Sequence, residues 1–276
     1  IFHDWNAGAE TLALRKQLQA MPDGGTFALT IPVAPYRCPP GPYERASQIA
    51  SYFKVAKPKS KILILDGNAD VTSKGPLFKK VWASQYAGMI EYRGDHKATA
   101  VDAKTNTIKF EVQDDVKANV INALPNMRAG LIAVQSGLSN MANGRWCGVN
   151  YQTFESTAAK DVHVLGDSIQ IAPAMPKSGH MANAQAKVAA AAIVAQLSGW
   201  DVNPNPMLTN TCYSMVDAKN CIHVASVHEY VAAEKTFKTV AGSGGVSAID
   251  LKPEVTMLEA AYAESWAQNI WADTLM

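Results

Sequence analysis

The chain has 276 residues, of which 48% are hydrophobic and 18% charged, as expected of a globular protein with two domains or three small ones. The net charge of +1 gives no sign of the basic balance typical of nucleic-acid-binding proteins. No apolar run approaches the roughly 18 residues that a membrane-spanning helix requires. The sequence opens without methionine or a recognisable signal peptide, and its first residues are typical of an internal segment, so we expect residues upstream.

The first quarter of the chain predicts a β–loop–α–β unit after an opening helix. Apolar spacing indicates a helix over Ala9–Ala20 and then a strand over Thr26–Ile31. A helix over Tyr43–Val55 and a buried strand over Lys61–Leu65 complete the unit. Dinucleotide-binding domains are built on this arrangement.

The loop after the first strand lacks the glycines of a nucleotide site. A dinucleotide-binding unit carries G-x-G-x-x-G there, but Ala34–Gly41 reads APYRCPPG, and its three prolines have no N–H to offer a pyrophosphate. The second strand ends in Asp66–Gly67, again without the remaining glycines. The sequence therefore argues against binding of NADH or NADPH.

Cys38 lies in this loop, just before the helix. A helix N-terminus and the neighbouring Arg37 both favour a thiolate, so the sequence predicts a lowered pKa for Cys38 and a nucleophilic role. Glu44, in the first turn of the helix, is placed to relay protons near the same sulfur. The alternative is a structural cysteine and an ordinary glutamate at a helix start.

The next part of the chain is rich in strands. A helix is predicted over 76–86, and the turn Ala103–Asn106 joins two strands as a hairpin. The segment 131–160 is weakly patterned and carries Cys147. The predicted strands are Met89–Tyr92, Thr99–Asp102, Thr107–Val112 and Val116–Asn122.

The stretch 161–197 has the pattern of a ligand site. A predicted strand over Val162–Leu165 runs into Gly166–Asp167, where glycine lets a ligand approach the backbone and aspartate accepts hydrogen bonds from its hydroxyl groups. The alanine-rich helix predicted over His180–Leu197 points its first N–H groups and the positive end of its dipole toward the same place. The alternative is an ordinary strand, turn and core helix.

A β-rich C-terminal part follows Pro204 and Pro206. It is predicted to contain strands over Leu208–Val216 and Cys221–Val231 and a closing helix over Pro253–Asp273. The tryptophans of that helix are expected to pack against the core, with a position over a planar cofactor as the alternative.

The spacing of the cysteines and histidines predicts neither a local disulfide nor a metal site. The predicted hairpin places Cys212 opposite Ala225 and Cys221 opposite Val216, which argues against a local bridge. Each of these cysteines is then expected to have a distant partner in the first 150 residues. An even count of four cysteines suits an oxidising compartment. The six histidines show no metal-ligand spacing, so no metal site is expected.

Four separated segments resemble one protein family: RCPPGPYERAS, HVLGDS with PKSGHMANAQAK, TNTCYS and ESWAQNIWADT. They closely resemble the flavin-binding subunit of flavocytochrome c sulfide dehydrogenase, and more distantly the sulfide:quinone oxidoreductases and the two-dinucleotide-domain disulfide reductases. The resemblance covers essentially the whole chain. It implies an α/β, glutathione-reductase-like two-dinucleotide-binding-domain flavoprotein fold that lacks the first half of its FAD domain and ends in an α+β interface domain.

The resemblance also implies domain boundaries. Residues 1–128 match the second, NADH-domain-like Rossmann-type domain, here without a nucleotide site. Residues 129–203 match the C-terminal half of the FAD-binding domain, and residues 204–276 match the interface domain.

The site residues follow from the same motifs. Cys38 and Cys212 match the redox-active disulfide of the family, and Glu44 matches the acid–base residue beside it. The other two cysteines, Cys147 and Cys221, are expected to form a structural bridge. The residues implied to hold FAD are Gly166, Asp167 (on the ribityl chain), Lys177, Ser178, Gly179, Met181 and Trp266.

The implied activity is sulfide oxidation. Hydrosulfide opens the disulfide to a persulfide and a thiolate, the thiolate adds to the flavin or transfers two electrons to it, and the flavin reduces the haem of a cytochrome c subunit in a periplasmic heterodimer. One alternative is a quinone-reducing enzyme, whose C-terminal helices are rich in lysine and arginine, whereas Pro253–Met276 has neither. The other is a non-catalytic module that only docks a cytochrome.

Overall fold

A computed structural model describes residues 1–275. Its helices are α1 (Ala9–Ala20), α2 (Gly41–Ala56), α3 (Gly75–Gln85), α4 (Leu131–Gln135), α5 (Gly179–Ser198) and α6 (Pro253–Leu275). Its strands are β1 (Thr26–Ile31), β2 (Lys61–Asp66), β3 (Ile90–Arg93), β4 (Ala98–Asp102), β5 (Thr107–Phe110), β6 (Val116–Lys117), β7 (Val120–Ala123), β8 (Met207–Met215), β9 (Cys221–Val231), β10 (Thr236–Thr239) and β11 (Gly245–Val246).

A parallel sheet in the order β3-β2-β1-β7 lies at the centre of the N-terminal half. Both faces of its inner strands are covered, which is why β1 and β2 are almost continuously apolar. Leu29 and Ile64 join the core beneath α1, α2 and α3, and Ala28 and Leu65 pack against Ile108 of β5 on the other face. The predicted β–loop–α–β unit is confirmed.

The prediction of one strand over Val116–Asn122 is wrong, because the chain changes sheets within it. β6 pairs with β5 in an antiparallel ribbon, whereas β7 pairs with β1 in the parallel sheet. Asn119 makes the crossing: its N–H donates to the carbonyl of Thr26 at 2.9 Å, and its side-chain oxygen accepts the N–H of Thr26 at 2.8 Å. The hydrophobic pattern continues through both strands and does not reveal the break.

A second sheet is built around β9, which pairs with β8, β10 and β11, all antiparallel. α5 lies against β8, and α6 lies against both β9 and β8. The hairpin register differs by one residue from the prediction, since Cys212 faces Val224 and Cys221 faces Met215. The carboxylate of Asp217 accepts hydrogen bonds from the backbone N–H groups of Lys219 and Asn220. The centre of the turn therefore lies half a residue earlier than predicted. Cys212 and Cys221 are not opposite each other, as expected.

The segment before α5 is less regular than predicted. The strand expected over Val162–Leu165 is absent; only an isolated bridge joins Glu155 to His163, and Gly166–Ser168 forms a single 3₁₀ turn. Gly166 has a φ of +71°, a conformation that favours glycine and turns the chain out of the extended form. α5 then spans the predicted helix with one extra residue at each end.

None of the helices described in residues 1–275 has both the length and the apolar character needed to cross a bilayer.

Candidate functional site

Most of the residues singled out from the sequence line a single cavity of about 480 Å³. It lies where the start of α2, the loop before α5, the middle of β8 and the second half of α6 meet. Volume and composition suit a small-molecule site. The predicted site residues that line it are Cys38, Glu44, Asp167, Lys177, Ser178, Gly179, Cys212 and Trp266.

Cys38 is held at the start of α2 by backbone bonds on both sides. Its N–H donates to the carbonyl of Lys177 at 2.8 Å, and its carbonyl accepts the N–H of Gly41 at 2.9 Å. A side chain at Gly41 would place its Cβ only 2.9 Å from the Cys38 sulfur, so a glycine is needed there. The loop therefore fixes the thiol against the α5 side of the cavity.

The prediction of a lowered pKa at Cys38 is wrong. Although Cys38 as a residue is exposed, desolvation of its thiol by the surrounding protein, with the negative charges of Glu44 and Cys212 nearby, raises the pKa of Cys38 to about 12. Lys74 opposes this shift but does not outweigh it. The start of α2 favours the thiolate, but desolvation and the nearby negative charges disfavour it more strongly.

Glu44 joins α2 to β8. Its Oε1 accepts the backbone N–H of Met215 at 2.8 Å. Burial raises the pKa of Glu44, while that N–H and the charge of Lys74 act in the opposite direction. A carboxyl group with a raised pKa near a thiol is suited to proton transfer.

Cys212 lies in the middle of β8, and its sulfur contacts an amide. Nδ2 of Asn210 lies 3.5 Å from Sγ of Cys212, and Oδ1 of Asn210 accepts a hydrogen bond from Ser178. Ser178 in turn caps α5, because its hydroxyl accepts the N–H of Met181 at 3.1 Å. The helix start and the thiol are thus linked through one buried side chain.

Two buried polar atoms in the cavity wall have no protein partner. They are Oδ1 of Asp167, an acceptor, and Nε1 of Trp266, a donor. Buried polar atoms are normally paired, so an unmet acceptor and an unmet donor in two residues that line one cavity point to a bound polar ligand. Burial raises the pKa of Asp167, and Lys177 and Arg37 lower it.

Lys177 is almost completely buried between the cavity and the ring of Trp146. Its Nζ donates to the carbonyls of Asp167 at 2.8 Å and Ile169 at 2.7 Å, and lies 3.6 Å from the centre of that ring. Burial lowers the pKa of Lys177 to about 8. The lysine thereby fixes the backbone of the Gly-Asp turn from behind.

The other predicted FAD residues differ in position. Gly179 lines the cavity, and an added Cβ would meet no protein atom within 4 Å, so the bare backbone leaves room for a ligand. Gly166 lies behind the wall, where its N–H donates to Gln185 at 2.6 Å. Met181 is buried in the core between α5 and the C-terminal sheet and does not line the cavity.

The expected bridge between Cys147 and Cys221 is not formed in this structure. Both thiols are free and fully buried in different places. Cys147 pairs with Ile169 through an isolated bridge and packs with Trp146. Cys221 starts β9 in register with Met215. The expected pairing joined the two cysteines left over after Cys38 and Cys212, and it used no information on their positions in space. Cys38 and Cys212 line the same cavity and are likewise unbridged.

Four residues of the site were missed in the sequence. Asn210 and Gln185 bond to predicted residues, and Lys74 brings a buried ammonium group to β8. His180 lines the cavity; its Nδ1 accepts the N–H of Thr211 at 2.9 Å, and burial lowers its pKa. The family-like segments TNTCYS and PKSGHMANAQAK contain Asn210, His180 and Gln185, but Lys74 has no local signal.

A second cavity of about 530 Å³ lies on the other side of the cysteine pair. Pro40, Lys177 and Cys212 line both cavities. Much of its wall is apolar, with Pro35, Met175 and similar residues facing it. Cys212 can therefore be approached from two sides.

Asp66, the last residue of β2, has both carboxylate oxygens engaged in hydrogen bonds within the protein. Asp66 accepts hydrogen bonds from the hydroxyls of Tyr43 at 2.7 Å and Tyr92 at 3.0 Å, and from the side chain of Asn68 at 2.7 Å. In a dinucleotide-binding domain an acidic residue near this position binds the ribose. Here its oxygens are buried and already bonded.

In residues 1–275 no three histidine, cysteine, aspartate or glutamate side chains gather as a metal site would require.

Two family profiles match this chain. "Sulfide dehydrogenase [flavocytochrome c] flavoprotein chain, central" matches residues 11–125, and "Flavocytochrome c sulphide dehydrogenase, flavin-binding" matches residues 204–275. The chain belongs to the flavocytochrome c sulfide dehydrogenase flavoprotein family. Cys38 and Glu44 lie inside the first matched region, and Cys212 and Trp266 lie inside the second.

Solved structures show the same fold. Sulfide:quinone oxidoreductase from the hyperthermophilic bacterium Aquifex aeolicus aligns with a TM-score of 0.65 and 16% identity, over 96% of this chain and 63% of that chain. A chain of the Tetrahymena thermophila mitochondrial ATP synthase aligns with a TM-score of 0.59 and 16% identity, over 79% of this chain and 53% of that one. At such identity these matches establish the fold alone. The chain spans less than two thirds of either structure.

The family makes FAD the cofactor, and the cavity fits it. The unmet Oδ1 of Asp167 is an acceptor suited to a flavin hydroxyl, and the unmet N–H of Trp266 is a donor beside an aromatic surface. Gly179 leaves the backbone bare at the start of α5, where N–H groups favour a negatively polarised ligand edge.

Proposed function

We propose that this chain is the catalytic flavoprotein part of a sulfide dehydrogenase that passes electrons to a cytochrome c. The observation that carries the proposal is the gathering of Cys38, Cys212 and Glu44 with Asp167 in the wall of one cavity, in a member of this family. The sequence separates these residues by up to 174 positions, so no local constraint accounts for their meeting.

Sulfide acts on a disulfide between Cys38 and Cys212. Hydrosulfide attacks one of the two sulfurs, a new S–S bond forms as a persulfide, and the Cys38–Cys212 bond breaks with its electron pair left on the other sulfur as a thiolate. Glu44, whose pKa burial raises, takes the proton of hydrogen sulfide as it enters. The cavity on the far side of the pair gives the small donor an approach that does not cross the cofactor.

FAD, when bound, accepts two electrons and releases them singly to a haem. This chain's residues hold and orient it. Asp167 accepts from the ribityl chain, and Gly179 and its neighbours at the start of α5 stabilise negative charge on the flavin edge. Trp266 lies beside the ring of His180, with centroids 5.7 Å apart, and closes the α6 side.

The proposed partner is a cytochrome c subunit in a periplasmic heterodimer. The family name supports the cytochrome. The division of the chain into 1–128, 129–203 and 204–276 belongs to the same proposal. The profile matches at 11–125 and 204–275 agree with its outer two parts.

The quinone-reducing alternative rests on the shared fold alone. The described part of α6 has no lysine or arginine, and its Asp273 instead pairs with Lys187 of α5 at 3.0 Å. A basic amphipathic helix suited to a membrane surface is therefore not formed by α6. A purely docking module would have no need for cysteines and a buried glutamate in one cavity.

A nicotinamide donor is disfavoured by two observations. Pro35, Pro39 and Pro40 fill the loop after β1, and Asp66 is bonded to tyrosines. The sulfide donor needs no such pocket.

The test is a visible spectrum of the full-length flavoprotein under anaerobic conditions, before and after addition of sulfide and then of oxidised cytochrome c. The proposal predicts a flavin band that sulfide bleaches and that cytochrome c restores, with reduction of the haem. A flavin band that sulfide leaves unchanged would support a docking role.

A further inference from the structure

Lys74 is a buried cation whose position serves the cysteine pair. It precedes α3 with a φ of +56°, and only 8% of the residue is exposed. Its Nζ donates to the carbonyl of Cys212 at 2.8 Å and to the hydroxyl of Ser214 at 2.7 Å. The ammonium group is thus fixed to the β8 backbone at the cysteine itself.

Four ionisable groups, each able to carry a negative charge, lie around Lys74. Glu44 approaches from α2, Cys38 from the loop before it, Cys212 from β8 and Cys221 from β9. Burial lowers the pKa of Lys74, and the charge of each of these groups raises it. Glu44 lies beyond the 4 Å of a direct ion pair, so no single carboxylate neutralises the lysine.

Burying an ammonium group among mainly neutral partners lowers the free energy of unfolding, because the charge loses its water. An apolar side chain of similar length would fill this space without desolvating a charge. A buried ammonium group is useful where a negative charge forms beside it, because it stabilises that charge. Opening the disulfide supplies that charge, because the broken bond leaves an electron pair on one sulfur as a thiolate.

We propose that Lys74 is a positioning residue that stabilises the thiolate formed when the Cys38–Cys212 pair is opened, and that it does so through its charge. This proposal rests on the proposed function only for the identity of the pair. The interaction between the two groups acts equally on both: a thiolate raises the pKa of Lys74, and the charge of Lys74 lowers the pKa of the thiol by the same amount. Asn210 supplies the direct contact to the sulfur of Cys212, and Lys74 supplies the charge behind it.

The experiment measures the pH dependence of alkylation at Cys38 and Cys212 in the full-length flavoprotein, reduced anaerobically with dithiothreitol and mapped by mass spectrometry. Lys74→Gln keeps a hydrogen-bond donor for the carbonyl of Cys212 and the hydroxyl of Ser214 but removes the charge. Lys74→Arg keeps the donor and the charge. We expect the midpoint of the more reactive thiol to rise by about one pH unit or more in Lys74→Gln and to stay near the original value in Lys74→Arg. Lys80→Gln, at an exposed lysine of α3, is the matched control.

An unchanged midpoint in Lys74→Gln would overturn the proposal. If that variant does not fold, side-chain ¹⁵N spectra of lysine-labelled, unsubstituted protein give a second answer. One lysine resonance, missing from Lys74→Arg, should move when the pair is reduced, and the absence of any such movement would also overturn it. Neither readout uses sulfide, so a protein that sulfide fails to reduce would refute the proposed function while leaving the Lys74 result intact.

Discussion

The side-chain amide of Asn210 contacts the sulfur of Cys212, with 3.5 Å between Nδ2 and Sγ. The same amide accepts a hydrogen bond from Ser178, the residue that caps α5. Asn210 is 3% exposed, so this geometry is protected from water. A thiol on a strand and the start of α5 are thereby held by a single side chain.

Asn210→Ala should slow sulfide-driven bleaching of the flavin by about 10-fold, because a hydrogen bond to a charged sulfur contributes about 1.5 kcal/mol. The rate is measured by anaerobic rapid mixing. Asn205→Ala, on the exposed loop before β8, is the control and should keep the original rate. A normal rate in Asn210→Ala would show that the contact has no part in the reaction.

The thiol chemistry of the four cysteines is a second prediction. In the oxidised full-length protein, Cys147 and Cys221 should be labelled by an alkylating agent after denaturation without reductant, since they lie in different parts of the fold, Cys147 beside Trp146 and Cys221 at the start of β9. Mild reduction should then add Cys38 and Cys212 to the labelled set. Peptide mapping distinguishes the four, and protection of Cys147 and Cys221 before reduction would restore the structural bridge expected from the sequence.

The central sheet and most helices were predictable because their signals are local. The continuous apolar runs of β1 and β2 and the proline at the start of α2 define the Rossmann-type unit without reference to distant residues. The sheet change at Asn119 has no such signal, because Val116, Ala118 and Val120 continue one alternating strand pattern across it. Only the pairing of β6 and β7 with different strands separates them.

The site was predictable only in part, for the same reason. Motifs identified Cys38, Asp167 and Trp266, and the structure places all three in one cavity. The pKa of Cys38 is predicted in the wrong direction, because the burial of its thiol and the charge of Cys212 arise only in the folded chain, although Glu44 is near in sequence. Lys74 was missed since its role depends on β8, 138 positions away.

Asp167→Ala should weaken a noncovalently held flavin about 10- to 100-fold, since a hydrogen bond to a buried carboxylate contributes on the order of 1.5–3 kcal/mol. The unpaired Oδ1 is the physical reason, because only the ligand completes its bonding. Flavin affinity is measured by fluorescence titration of the apoprotein. Asp201→Ala, at an exposed position, should bind normally. Equal affinities of the two variants would mean that the Gly-Asp turn does not hold the flavin.

Lys177 should give the protein a pH-dependent stability. Burial lowers the pKa of Lys177 to about 8, so above that pH the folded state has released a proton that the unfolded chain still binds. The free energy of unfolding should therefore rise with pH from about 8 toward the ordinary lysine range.

Urea unfolding of the original protein and of Lys177→Met at pH 7.5 and 9.5 isolates this effect. The difference between the two proteins should grow by about 2 kcal/mol in favour of the original protein over that interval. Lys80→Met, an exposed lysine, should follow the original protein at both values. A difference between the original protein and Lys177→Met that does not change with pH would refute the assignment of the shift to Lys177.

The measurement that tests the central claim most directly is anaerobic stopped-flow absorbance at the visible flavin band of the full-length protein, with sulfide and NADH mixed separately. Sulfide should bleach the band rapidly and NADH should not, because Pro35, Pro39 and Pro40 occupy the phosphate loop and the oxygens of Asp66 are already bonded. Cys38→Ser should keep its flavin and lose the response to sulfide. Rapid bleaching by NADH, or bleaching by sulfide that survives Cys38→Ser, would contradict the account.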